Sequence, residues 1–267
     1  MNGEFAFRGL RPGAYTLSVD LQGYQPASAT VDVTMASSRG NEIGLRETAG
    51  KKQTRASGNS VSVHFLSMPE EARVAFDAGK QKLNRDKNGE AGLEDFQRAV
   101  QIAPDFYEAY EQIGVAYLQL GKPDDSEKAI RKAIELSQDK YAPADFDLGA
   151  LEMNRHDFAG GEKTVRHGVE LDPNAWIGHY ELGRALFYEK HIPEALKSAE
   201  EARALQPNAA VLYRLLAVIH MSQHNNPALL EDLDMYIKLD PDSPLGLRAQ
   251  QLREQVARSM APESAAH

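Results

Sequence analysis

From about residue 67 onward, apolar side chains recur at intervals of three and four, in runs bounded by Gly, Pro, Asn or Asp. That is the period of helices burying one face. Upstream the period is two. Phe5 and Phe7, then Tyr15, Leu17, Val19 and Leu21, then Ala29, Val31, Val33 and Met35 alternate with polar or small neighbours. Turn residues at Gly9–Gly13 and Gly23–Pro26 separate them, which predicts three strands, with a weak fourth at Ile43 and Leu45. The polar, basic stretch from Glu47 to Asn59 has no period and reads as a linker. Val61, Val63 and Phe65 alternate once more, predicting a short strand, and Ser67-Met-Pro-Glu then reads as a capped helix start.

The helical region repeats. Pro104, Pro173, Pro207 and Pro241 each close a helix-like run. The last three are evenly spaced by about 34 residues, and Pro104 stands at roughly twice that distance before Pro173. The long interval divides into two, with one inserted residue and Ile134–Gln138 supplying the missing boundary. Inside each period stand Ile113-Gly114, Leu148-Gly149 or Leu182-Gly183, a turn residue such as Gly121, and small residues such as Ala133 and Ala202. A period of this length made of two helices with these residues resembles the tetratricopeptide repeat. The resemblance implies a mainly α solenoid of about five helical hairpins. A last helix from Pro244 to Met260 is expected to turn Leu245, Leu247, Leu252 and Val256 inward as a cap. The outer repeats depart most from the pattern: the first carries an extra residue near Asp86–Gly89, and the fifth has Ala217 for the glycine and Tyr236 for the small residue.

The residues Gly3, Phe5, Phe7, Gly9-Leu10, Pro12-Gly13, Tyr15, Leu17, Val19 and Gly23-Tyr24-Gln-Pro26 resemble the second half of a carboxypeptidase regulatory-like domain, a transthyretin-like β-sandwich. The resemblance covers residues 1–47 and lacks the family's opening strands, which predicts a truncated sandwich fragment whose natural start lies upstream. No signal peptide is visible at Met1, and on this reading an export signal would belong to the missing part. The expected organisation is therefore a partial β domain over 1–47, a linker with a short strand over 48–66, and the repeat array with its capping helix over 67–267.

Charge narrows the partners. The formal net charge is −9, divided as +2 over residues 1–58 and −11 over 59–267. An acidic body disfavours nucleic acid, and no apolar run is long enough for a transmembrane segment. With no cysteine, thiolate catalysis, disulfides and Cys-bound zinc are excluded. His220 and His224 have the spacing of a two-His metal pair, but Met-Ser-Gln between them lacks the Glu of a zinc peptidase, and both read as ordinary repeat positions. The acid pairs Asp124-Asp125, Glu200-Glu201 and Glu231-Asp232 read as first-turn or solvated residues. Trp176 reads as a wedge between repeats. No motif calls for a cofactor, and none marks an enzyme.

What remains is a scaffold that binds a protein or peptide. The resemblance places the first helix of each repeat on a concave wall, where the groove candidates are Leu118, Phe146, Met153, Tyr180, Arg184, Phe187, Tyr188 and Arg214. Tyr180, Arg184, Phe187 and Tyr188 share one side of a helix by their spacing. Tyr180 and Phe187 read equally well as buried between helices. The alternative function is a carbohydrate or cell-surface module based on the sandwich. Oligomeric state is not legible in the sequence.

Overall fold

The repeat period is met by helices of nearly constant length. The structure, a computed structural model, describes residues 13–19, 24, 25, 27–33, 46, 47 and 63–260, with side chains from His64 onward. It is mainly α, with twelve helices among the described residues. Two compact units are separated at the boundary between Leu136 and Ser137.

In the first unit, β1 (Gly13–Val19) pairs antiparallel with β3 (Ala27–Val33), with Tyr15 opposite Val31 and Leu17 opposite Ala29. This agrees with the alternation of period two. The Tyr24-Gln25 step, expected as part of a turn, is the two-residue β2, paired with β4 (Arg46–Glu47). Phe5, Phe7, Ile43 and Leu45 lie outside the described residues, and so does most of the stretch that resembles a carboxypeptidase regulatory-like domain.

The strand expected through Val63 and Phe65 is instead a short helix, α1 (Val63–Ser67). Tertiary contact decides it. Phe65 meets the rings of Phe76 and Phe106 at 5.4 and 5.7 Å, while His64 stacks on Tyr107 at 3.9 Å and its Nδ1 lies 2.8 Å from Glu108 Oε2. Ser67 is not the expected cap, because its hydroxyl donates back to the His64 carbonyl and the next helix starts after Pro69. Two hairpins follow, α2 (Glu70–Asn84) with α3 (Gly89–Ile102) and α4 (Tyr107–Gln119) with α5 (Pro123–Leu136). Their core centres on Phe76, Phe96 and Phe106, the last two fully buried. The extra residue of the first turn is absorbed by Lys87 at φ 53°, just before Asn88 caps α3 by accepting from the Ala91 N–H.

The second unit contains three hairpins and a last helix. These are α6 (Ala142–Asn154) with α7 (Phe158–Leu171), α8 (Trp176–Tyr188) with α9 (Ile192–Leu205), α10 (Ala210–Ser222) with α11 (Asn226–Leu239), and then α12 (Pro244–Met260). From α4 onward the first helices start at Tyr107, Ala142, Trp176, Ala210 and Pro244. The first of these steps is longer than the three equal ones after it by the single inserted residue, which therefore lies where the spacing put it, and α12 takes the slot of a sixth first helix. Gly149 shows why the glycine position is small: a Cβ there would stand 2.4 Å from Val165 Cγ2 on the partner helix. Gly114 meets Ile130 in the same way. Ala133 and Ala202 are fully buried, as expected of close helix approach.

The capping helix has the expected bounds but a different inward face. Gly246 and Ala249 are buried and Leu252 and Val256 pack on the Tyr213–Tyr236 cluster, whereas Leu245 and Leu247 are exposed. The Gly246 backbone lies so close to the Asp240 carbonyl that the first turn is pinned there, and Leu245 and Leu247 on either side turn outward.

Candidate functional site

Within the second unit, α6 packs on α8 and α8 on α10, so these helices form one layer with α7, α9 and α11 beside them. On α10 the exposed and half-exposed positions Val211, Arg214, Val218 and Met221 follow helical spacing and define an uncovered face. On α8 the corresponding face carries Arg184, Phe187 and Tyr188. Tyr188 is 48 % exposed and stacks on Phe158 at 4.6 Å, and Phe187 meets it edge-on at 5.8 Å. Met221 is 45 % exposed.

The sequence candidates divide sharply. Phe146, Met153 and Tyr180 are core residues, between 2 and 7 % exposed, and cannot meet a partner without leaving the core. The Phe146 ring enters a space left by Gly168 and Gly178, where a Cβ at either would stand 2.5 Å from Cε1. Arg184 is half-buried, lies over the Tyr180 ring and pairs with Glu181 on its own helix. Phe187 is half-buried, while Tyr188 and Arg214 are exposed. Leu118 is half-buried on α4, in the first unit. Trp176 packs against the core of the second unit, consistent with a wedge. Met221, one repeat period after Phe187, belongs by its spacing to the same inferred wall as Arg214.

A pattern that sequence reasoning missed joins the helices of each hairpin in this unit. His167 Nδ1 lies 2.8 Å from Asp145, His179 Nδ1 3.1 Å from Glu201, and His220 Nδ1 2.7 Å from Asp232. Asp232 is buried, against the expectation that Glu231-Asp232 is a solvated pair, because it faces across to α10. Burial pushes the Asp145, Asp232 and Glu181 carboxyls up, opposed by His167, His220 and Arg184 respectively. Spacing could not reveal these pairs, since their members lie on different helices.

Metal chemistry has one grouping among the described residues. Glu162, Glu189 and His191 bring two carboxylates and an imidazole within 4.8 Å of one another. Arg166 Nε donates to Glu162 Oε1 at 2.7 Å, and the two carboxyls shift in opposite directions, Glu162 held down chiefly by Glu189 and by Arg166, Glu189 pushed up by Glu162. Arg166 supplies a positive charge beside the two carboxyls. His220 is committed to Asp232, and His224 is a turn residue at φ 55°. A hollow of about 410 Å³ over α7 is lined by Glu162, Lys163, Arg166, His167 and Glu170, charged groups that do not make the apolar wall of a small-molecule pocket.

Two segments match family models described as tetratricopeptide repeat, residues 107–140 and 180–244. These two segments carry tetratricopeptide repeats. It is 28 % identical over 124 residues to human tetratricopeptide repeat protein 13, an alignment covering 46 % of this chain and only 14 % of the human protein. Solved structures agree at the level of the fold. The thermophilic TPR protein TTC0263 of Thermus thermophilus superposes with a TM-score of 0.58 at 16 % identity, over 70 % of this chain and 99 % of that one. Pseudomonas aeruginosa pilF gives a TM-score of 0.60 at 16 % identity, over 71 % of this chain and 88 % of its own. Among the described residues, no helix is long and apolar enough to cross a membrane.

Proposed function

We propose that this protein is a non-catalytic scaffold that holds a peptide or a partner's helix on the uncovered face of α8 and α10. The observation that carries the reading is the exposure of Tyr188 and Met221 at adjoining repeat positions of a layer whose other large apolar side chains are buried or half-buried. Aromatic side chains supply much contact area for little lost rotamer freedom and dominate binding hot spots. Phe158 behind Tyr188 holds its ring in place before a partner arrives. Tetratricopeptide repeats are generally protein-interaction scaffolds, and the buried carboxyls Asp145, Glu181 and Asp232 each face a His or Arg side chain within the fold.

The test is selection of peptides from a random display library on the full chain, followed by titration of the selected peptides against Tyr188→Ala and Met221→Ala. Loss of about 2 kcal/mol for Tyr188→Ala, in a protein that keeps its helical circular dichroism, is the expected result. Undiminished affinity in both variants would move the binding surface off α8 and α10. The sandwich-based alternative, a carbohydrate or cell-surface module, falls mainly on residues outside those described.

A further inference from the structure

The turn between α8 and α9 is short and held by its backbone. Lys190 adopts φ 68°, its N–H donates to the Phe187 carbonyl at 3.1 Å, and the His191 N–H donates to the Leu186 carbonyl at 2.9 Å. Glu189, directly after α8, and His191, directly before α9, therefore stand at fixed places on either side of one left-handed residue. Glu162 comes from the second turn of α7, in the preceding hairpin, and α7 packs on α8.

The donor atoms of these three side chains lie within 4.8 Å of one another. Glu189 Oε2 is buried and has no hydrogen-bond partner. A buried oxygen without a donor is costly, and a second carboxylate beside it adds repulsion whenever both are ionised. Neither neighbouring cation meets that oxygen. Arg166 gives both its contacts, from Nε at 2.7 Å and Nη2 at 2.5 Å, to Glu162 Oε1. The Lys190 ammonium lies over the Phe187 ring, 5.7 Å from its centre. The His191 imidazole is not used to cap α9. Two carboxylates and an imidazole thus converge where one buried oxygen lacks a positive partner.

We propose that Glu162, Glu189 and His191 form a binding site for a divalent transition-metal ion, with zinc the best match to the donor set. This goes beyond the interaction reading above and does not depend on it. Zinc takes imidazole nitrogen and carboxylate oxygen at about 2.0 to 2.2 Å, which sets the ligand atoms of a tetrahedral site about 3.4 Å apart. Rotation of the two long Glu side chains closes the present spacing to that value. The imidazole selects against calcium and magnesium, which prefer oxygen alone. Three protein ligands leave a fourth position to water. Arg166 on Glu162 Oε1 is the kind of outer contact that orients a ligating carboxylate. The hollow of about 410 Å³ over α7, with Glu162 in its wall, gives a hydrated ion a way in. A bound ion would tie α7 to the α8–α9 turn, the same region where the Phe158 and Tyr188 rings stack, and so fix the junction of two hairpins.

The experiment uses the full chain without a polyhistidine tag, stripped with EDTA and titrated with zinc chloride by calorimetry, with magnesium and calcium chloride as comparison ions. The proposal expects one zinc ion per chain and a loss of affinity of about tenfold or more in both Glu189→Gln and His191→Ala. Binding should be unchanged in His224→Ala, a turn histidine outside the site. The melting temperature of wild type should rise with zinc, and that of His191→Ala should not. Cobalt in place of zinc should give visible absorption bands that both ligand variants lose. His191 is exposed, so His191→Ala should keep the wild-type circular dichroism, and it carries the test alone if Glu189→Gln does not fold. No zinc binding by wild type, or zinc binding that the folded variants retain, would overturn the site. Magnesium or calcium bound as tightly as zinc would also overturn it, by reducing the cluster to a general patch of negative charge.

Discussion

Phe146 on α6 and Arg214 on α10 occupy the same repeat position two periods apart, yet one is 2 % exposed and the other stands in solvent. The difference comes from what faces them. Phe146 enters the space left by Gly168 and Gly178. Two periods on, Gly246 keeps the place of Gly178, but the place of Gly168 is taken by Tyr236, itself buried. Tyr180 lies between them in sequence and in kind: it faces Ala202 and Leu212 at those places and keeps 7 % exposure. A repeat position thus defines a direction, and the partner side chains decide whether that direction leads into the core or to water.

The most direct way to break this comparison is to empty the filled side of it. Phe146→Ala should cost about 3 to 5 kcal/mol, read from urea denaturation, because it removes a ring from a close-packed cavity. A loss below about 1 kcal/mol would show that Phe146 is not a core residue. Gly168→Ala should act through the same ring from the other side. The added methyl, 2.5 Å from Phe146 Cε1, forces the ring to shift, with an expected loss of about 1 to 3 kcal/mol by the same measurement. If Gly168→Ala is neutral in wild type, the ring has room that the comparison denies it.

Glu181, next to Tyr180 in the chain, sharpens the comparison through pH. Burial raises its carboxyl above the ordinary 4.5, opposed by Arg184. Below that ordinary value the unfolded and folded forms are both protonated, and the group's contribution to stability is fully present. As pH rises, the unfolded chain ionises first, and wild type loses stability until the folded carboxyl has titrated. The stability of wild type relative to Glu181→Gln should therefore fall as pH rises above about 4.5, measured by urea denaturation across the acid range. A difference that grows with pH would mean that Arg184 outweighs desolvation. The smallest effect belongs to the exposed side: Arg214→Ala should change stability by no more than about 0.5 kcal/mol, checked by the same denaturation. A larger loss would place Arg214 in the fold and remove it from the surface.

Much of the architecture was legible in local text. The prolines and the glycine and alanine positions are properties of the backbone and of close helix approach, and they recur because each hairpin must pack on the next. The single inserted residue before Gly149 was legible for the same reason. The α1 segment was not, since a five-residue stretch has no period strong enough to resist contact with Phe76, Phe106 and Tyr107. The candidate groove was legible only in part. Arg184, Phe187, Tyr188 and Arg214 keep at least partial exposure, but Phe146, Met153 and Tyr180 follow the same spacing into the core.

By itself, the order of residues determined the tetratricopeptide repeats, the helix lengths and the acidic balance of the chain, because these depend on spacing, turn chemistry and counting. Tertiary structure alone decided which members of a repeated face are buried, which histidine meets which carboxylate, and which way Leu245 and Leu247 turn. The His–carboxylate pairings depend on charge supplied by residues 12 to 44 positions away in sequence, such as Asp232 for His220 and Glu108 for His64. No local period carries that information.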